Sequence, residues 1–253
     1  MKKYCLLIGL VLLITACGKR GPLVAPEALV PAPINNLTVD QKGNRFLVCW
    51  SRPGKEEWGG ALEDLAGYRV FRRDVLPPDQ DCEECADAYR QVKLVDPEYL
   101  QDVLQSGSRY CMFDSDLVDK QTYQYKVVSF EKDGATSRSS NKVRRTKLIP
   151  PAAPQLFTKK TSDSIILQWK TPATIPGETL AGFTIYRRES NQVMPLSPIA
   201  MVPAGSNSFA DPNMEHGVLY HYAVRTLAKI GPDQVESELS NVVEGKFSLS
   251  ELK

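Results

Sequence analysis

Two seven-residue stretches decide how this chain is read: Gly67-Tyr68-Arg69-Val70-Phe71-Arg72-Arg73 and Gly182-Phe183-Thr184-Ile185-Tyr186-Arg187-Arg188. Each opens on glycine, alternates apolar with polar residues and closes on two arginines. Alternation with period two sends one set of side chains to one face of an extended backbone, so each stretch reads as a half-buried strand. The match continues outward. Upstream, Leu47-Val48-Cys49-Trp50 corresponds to Ile166-Leu167-Gln168-Trp169. Downstream, Tyr123-Gln124-Tyr125 corresponds to Tyr220-His221-Tyr222, and Ser140-Asn141 to Ser240-Asn241. The chain therefore holds one unit twice. Pro150, Pro151 and Pro154 cluster between the copies, where a boundary belongs. The expected domains are 34–147 and 150–247, followed by a short tail, 248–253.

Set side by side, the copies resemble fibronectin type III domains. That family has a buried tryptophan on its second strand, matched by Trp50 and Trp169, and a glycine-aromatic third strand, matched from Gly67 and Gly182. It also has an apolar residue six positions before a tyrosine, matched by Leu117 with Tyr123 and Met214 with Tyr220. The resemblance implies an all-β chain of two tandem immunoglobulin-like β-sandwiches, with each of these tyrosines bonding backbone at a sandwich corner. The copies are unequal, because an insertion, 75–108, lengthens the first. It carries Cys82-Glu83-Glu84-Cys85 and a stretch, Asp96 to Gln105, that reads as a short helix capped by Asp96 with Glu98 in its first turn. Long insertions on a sandwich are surface features where binding often resides, so Glu84 is a candidate contact residue.

Outside the leader, four cysteines remain besides Cys17: Cys49, Cys82, Cys85 and Cys111. An even number in an exported domain suggests disulfides, and four cysteines allow three pairings. With Trp50 inward, Cys49 points to the opposite face of its strand, and Cys111 does the same beside Met112. In the resembled fold those strands are neighbours, which leaves a Cys49–Cys111 bridge open if register sets them opposite, with Cys82–Cys85 closing a local loop. Redox chemistry at Cys82 and Cys85 is disfavoured by the two glutamates between them, which raise thiol pKa. A four-cysteine zinc site needs a second close pair, and Cys49 and Cys111 are far apart in sequence.

The first seventeen residues address the chain. Lys2 and Lys3 precede an apolar run from Leu6 to Ile14, too short for a spanning helix and of the length of a signal-peptide core. Ile14-Thr15-Ala16-Cys17 follows and resembles the lipobox of bacterial lipoproteins, which implies a signal peptide over 1–16 and acylation of Cys17. Gly18 after the cysteine, rather than Asp, is similar to lipoproteins sorted to the outer membrane. Gly18-Lys19-Arg20-Gly21-Pro22-Leu23 also resembles the opening of small outer-membrane lipoproteins, among them the maturation factor of the lipopolysaccharide translocon. The segment 17–33 holds Pro26, Pro31 and Pro33 and is expected to be an extended, semi-rigid stalk.

Of 253 residues, 31 are Lys or Arg and 30 are Asp or Glu, a formal charge of +1 that gives no long-range attraction for nucleic acid. The membrane partner is then expected to be reached through lipid rather than charge. Only two histidines are present, and no phosphate-binding glycine loop or nucleophile motif accompanies them. His221, between two inward tyrosines, is expected to face solvent. Neither catalysis nor a metal or other cofactor is expected. Two surface features remain. Trp58-Gly59-Gly60, between the second and third strands, offers an aromatic that can stack on sugar or anchor a protein contact, or else pack on the insertion. The arginine pairs 72–73 and 187–188 read as charges guarding sheet edges. The expected function is non-catalytic binding or scaffolding in the cell envelope, through an envelope protein or a glycan. Carbohydrate or cell-wall binding and an accessory role in translocon assembly stand as alternatives.

Overall fold

A computed structural model describes residues 29–85, 87–160 and 165–246, and among them every regular element is a strand. The first sandwich is built from β1 (Thr38–Lys42), β2 (Arg45–Ser51), β3 (Leu65–Asp74), β4 (Arg90–Val95), β5 (Val103–Ser106), β6 (Arg109–Asp114), β7 (Thr122–Glu131) and β8 (Val143–Thr146). One of its sheets runs β1-β2-β6-β5 and the other β4-β3-β7-β8. The second sandwich comprises β9 (Gln155–Lys160), β10 (Ile165–Lys170), β11 (Glu178–Glu189), β12 (Ala200–Pro203), β13 (Ser208–Ala210), β14 (Leu219–Ile230), β15 (Asp233–Glu236) and β16 (Val243–Lys246). It sets β13-β10-β9 against a sheet in which β14 pairs with β11, β15 and β16. This is the two-sheet order that the fibronectin type III resemblance implies.

Each alternating stretch buries one side as its pattern requires. Trp50, Tyr68, Val70, Tyr125 and Val127 are fully buried in the first core, where the Trp50 ring lies 5.6 Å from that of Tyr68 and 6.1 Å from that of Tyr110. Trp169, Phe183, Ile185 and Tyr222 fill the second core. The repeated Ser-Asn pair has a structural reason. Asn141 accepts from the backbone N–H of Leu37 at 2.9 Å and donates to its carbonyl at 3.0 Å. Asn241 makes the same two bonds to Leu156, at 2.9 and 2.8 Å. Each asparagine thereby ties the chain entering one sheet to the segment closing the other, satisfying backbone that would otherwise be left without a partner. Tyr123 accepts from the N–H of Val118 at 2.8 Å, the corner bond expected of it.

The glycine that opens both decisive stretches is required by close approach. In each copy a bulge precedes it, at Leu65/Gly67 and Leu180/Gly182. A Cβ on Gly67 would stand 2.3 Å from the carbonyl oxygen of Val95, and one on Gly182 would stand 2.2 Å from that of Val202. Alanine at either place must push a neighbouring strand aside, at a cost of about 1–3 kcal/mol. Denaturant unfolding of Gly67→Ala and Gly182→Ala checks this. Gly205→Ala, where an added Cβ meets nothing within 4 Å, serves as the neutral control.

Several expectations are corrected. Asp96 to Gln105 forms no helix: the Asp96 carboxylate accepts from the N–H of Glu98 at 2.8 Å and makes a tight turn, Asp102 takes φ 56°, and Val103–Ser106 pairs with β6. A short Asp side chain that bonds two residues ahead caps a turn as readily as a helix, and here the buried Val103 side chain favours the strand. The arginine pairs guard no edge in the first copy, because β3 is paired on both sides and Arg72 and Arg73 are buried. His221 does not face solvent; it is half-buried beside Glu244, its cross-strand neighbour, at 3.4 Å. Residues 30–32, assigned by composition to the stalk, are docked on the first sandwich: Ala32 N–H bonds Lys55 O at 3.1 Å, and Glu57 N–H bonds Val30 O at 2.9 Å. The signal peptide, Cys17 and Gly18–Leu23 lie outside the described residues.

The two sandwiches share a sheet. The β14–β15 hairpin of the second reaches the first, where β15 pairs in parallel with β1 through Gln41↔Val235 and Lys42↔Glu236. A nine-stranded sheet results. The linker is fastened alongside: the Gln41 amide bonds both the N–H and the carbonyl of Leu148, at 2.9 and 2.6 Å, and Arg145 reaches Asp233 at 2.8 Å.

Candidate binding surface

The shared sheet creates a cleft that neither copy has alone. Its floor is the outward face of β2 and β6. There Cys49 and Cys111 sit directly opposite one another, 4.2 Å apart at Cα, and form a disulfide. That face is covered by the second sandwich: Leu196 packs on Leu47, Phe113 and the disulfide. Around this plug the cleft encloses about 660 Å³, between Leu104, Gln105 and Ser106 on one side and Val193, Met194 and Pro195 on the other. A neighbouring lobe of about 510 Å³ adds Arg45, Phe113 and Arg225.

At the base lies a polar lock. Lys42 donates to the Tyr186 hydroxyl at 2.7 Å, to Leu196 O at 3.0 Å and to Glu236 at 3.0 Å. Tyr186 donates to Glu236 in turn, at 2.8 Å, and Arg225 Nε lies 3.6 Å from the same carboxylate. Burial and then the Glu236 charge raise the Tyr186 phenol far above its ordinary range, so it stays a donor at any working pH. Burial lowers the Arg225 guanidinium, against the pull of Glu236. The cleft thus has apolar side chains at Leu104, Val193, Met194 and Pro195 among polar ones such as Asp40, Gln105 and Arg109, over a base where Lys42 and Arg225 share Glu236. Its residues carry no motif; the only sequence signal was the apolar run Val193-Met194-Pro195-Leu196 inside a loop.

The end of the insertion, Val103–Ser106, walls the cleft, whereas its first part occupies another face. Cys82 and Cys85 form the second disulfide, at the tip of a loop lying over β3, β7 and β8. Asp81 bonds Arg73 at 2.5 Å, and Glu83 accepts from Gln124, Lys142 and Arg144 at 3.1, 2.5 and 3.0 Å. Glu84 is 90% exposed and lies 3.6 Å from Lys142. The Lys142 bond, partly opposed by burial and aided by Arg144, pulls the Glu83 carboxyl down to about 2. Its stabilising contribution is therefore full above the ordinary glutamate range and is lost as pH falls toward about 2. Amide exchange in 79–85 is expected to accelerate over that interval, while β2 stays protected; Glu83→Gln should reduce the pH dependence and leave the part carried by Asp81, whose carboxyl the Arg73 bond also pulls down.

Trp58 is 48% exposed, with its indole N–H on Glu56 and its ring over Gly60. Its neighbour Glu57 bonds Arg138 and the docked residue Val30, so this loop belongs with the entering chain rather than with the insertion. Trp58 and Glu84 have no bonding partner in common. Asp114 and Asp116 both bond Arg72. Among the described residues, no three His, Cys, Asp or Glu gather as a metal-holding group.

No family model matches the chain. Among solved structures, the FN1–FN3 domains of chicken CNTN1 align over 86% of this chain and 69% of that one, at 18% identity and a TM-score of 0.37. Pectate lyase PelI of Erwinia chrysanthemi, solved with tetragalacturonic acid, aligns over 37% of this chain and 28% of that one, at 25% identity and a TM-score of 0.30. Strand order and pairing establish the sandwich fold independently of these alignments.

Proposed function

We propose that this chain is a non-catalytic binding lipoprotein of the outer membrane. Lipid on Cys17 holds two joined sandwiches at the surface, and a partner envelope protein is recognised in the cleft between them. The observation that carries this reading is the cleft itself: a disulfide-floored groove with apolar side chains on both sides, contributed by both copies. Apolar anchors in a desolvated pocket are what protein contacts use for affinity. Site-specific photo-crosslinkers at Leu104, Glu84, Trp58 and Lys19, in intact cells, test it. Capture of one defined protein from Leu104 supports the reading. Capture of a barrel protein from Lys19 alone replaces it with a role in outer-membrane assembly. The anchor is checked separately, since Cys17→Ser should move the protein to the soluble fraction.

A second reading rests on Trp58. Its ring is half-exposed and its orientation is set by Glu56, the arrangement a sugar ring stacks on. If the protein binds cell-wall glycan, Trp58→Ala abolishes its retention on that glycan; unchanged retention removes this reading.

A further inference from the structure

The Glu83 contacts fasten its loop to three strands of the first sandwich through an ordered set of donors. Arg73, Gln124 and Arg144 stand in register across three neighbouring strands, Arg73 opposite Gln124 and Gln124 opposite Arg144. The Gln124 oxygen accepts from both Arg73 Nε and Arg144 Nε, at 2.9 and 3.1 Å. That orients both guanidinium groups, so that each presents Nη2 to one point, 3.4 and 3.0 Å from Glu83 Oε2. Lys142 and the Gln124 amide donate to the other oxygen. Four donors thus converge on one carboxylate, an arrangement stronger than any single pair.

The donors and their occupant differ in how they are held. Arg73 and Gln124 are buried in the middle of a sheet, and Arg73 is also fixed by Asp81. Glu83 comes from a loop tip whose neighbours Cys82, Glu84 and Cys85 are exposed. The second copy lacks the arrangement. At its equivalent register stand Arg188, His221 and Glu244, where the third position supplies its own carboxylate.

We propose that Arg73, Gln124, Lys142 and Arg144 form a receptor for an acidic segment of a partner protein, and that Glu83 is a built-in occupant which the partner's carboxylates displace. The occupant itself defines the ligand chemistry: a glutamate presented by a turn, with a second glutamate beside it pairing Lys142. Arg144 and Lys142 are 52% and 36% exposed, so an incoming chain reaches them before Glu83 leaves. This site is separate from the interdomain cleft and does not depend on it.

The test is fluorescence anisotropy of a labelled tetraglutamate peptide with the full-length chain in detergent, at low ionic strength because exposed charges are otherwise screened. Glu83→Gln should bind at least about tenfold more tightly than the unaltered chain, the equivalent of one charge-assisted contact. Cys82→Ser with Cys85→Ser, which leaves Glu83 in place but unclips its loop, should also tighten binding. Adding Arg144→Gln to Glu83→Gln should abolish it. Equal affinity in the unaltered chain and both loop variants overturns the proposal, as does binding indifferent to Arg144→Gln. Inorganic phosphate competing as well as the peptide would likewise refute recognition of an acidic segment.

Discussion

Asp114→Ala is expected to destabilise the first sandwich by about 3–5 kcal/mol, the cost of breaking a buried ion pair from one side. The Arg72 side chain is 2% exposed and that of Asp114 is 7% exposed, with Nη1 2.6 Å from Oδ2. The Tyr125 hydroxyl donates to the same oxygen at 2.8 Å, and Arg72 lies 4.8 Å from the Tyr123 ring centre. Alanine would leave a buried guanidinium with the exposed Asp116 as its remaining carboxylate, and a buried phenol without its acceptor. The repeat provides the control. Asp211 holds Arg187 at 2.7 Å and accepts from Tyr222 at 2.8 Å, but the Arg187 side chain is 22% exposed and water can reach it. Asp211→Ala should therefore cost less, about 1.5–3 kcal/mol, as for hydrogen bonds to a charged group that keeps solvent. Denaturant unfolding of the two variants decides the matter. Equal losses would mean that burial of the arginine is not what sets the cost.

That pairing also shows where sequence reading stops. The period-two blocks were legible because alternation is a local pattern with one physical cause, while the buried tryptophans and the Tyr123 corner came with the fibronectin type III resemblance. Arg72 was misread because its partner lies 42 positions away, and a strand-ending arginine looks the same whether its charge is solvated or neutralised. Taking the strands as neighbours left a Cys49–Cys111 bridge open, and the observed register, with Cys49 opposite Cys111, closes it. That the disulfide floors a cleft did not follow, because Leu196 covers it from the other copy. Asp96 signals a cap in either a helix or a turn, and only the pairing of Val103–Ser106 with β6 chooses between them. Least legible was the joining of the sheets. Asp233-Gln234-Val235-Glu236 pairs with β1 through backbone, which any residue supplies, and the partners of its Asp233 and Glu236 side chains, Arg145 and Lys42, lie far away in sequence. The cleft exists only where the two sandwiches are joined, which is why the candidate site was the least readable part of the molecule.

The joining can be broken at one atom group. Glu236→Ala removes the carboxylate shared by Lys42, Tyr186 and Arg225, and leaves two cations facing each other inside the interface. Lys42 and Arg225 are 8% and 5% exposed, so water screens neither while the sandwiches stay docked. The expected cost is about 3–5 kcal/mol, that of breaking a buried ion pair from one side. It should appear as separation rather than unfolding. Each sandwich retains its own core, so the variant should unfold in two thermal transitions where the unaltered chain is expected to show one, and small-angle scattering should show a larger radius. Lys42→Met with Glu236→Leu removes one of those cations together with the carboxylate and should restore docking in part, since Arg225 still lacks its carboxylate. If Glu236→Ala keeps one transition and an unchanged scattering profile, the backbone pairing of β1 with β15 holds the sandwiches alone. The lock would then serve the cleft rather than the interface.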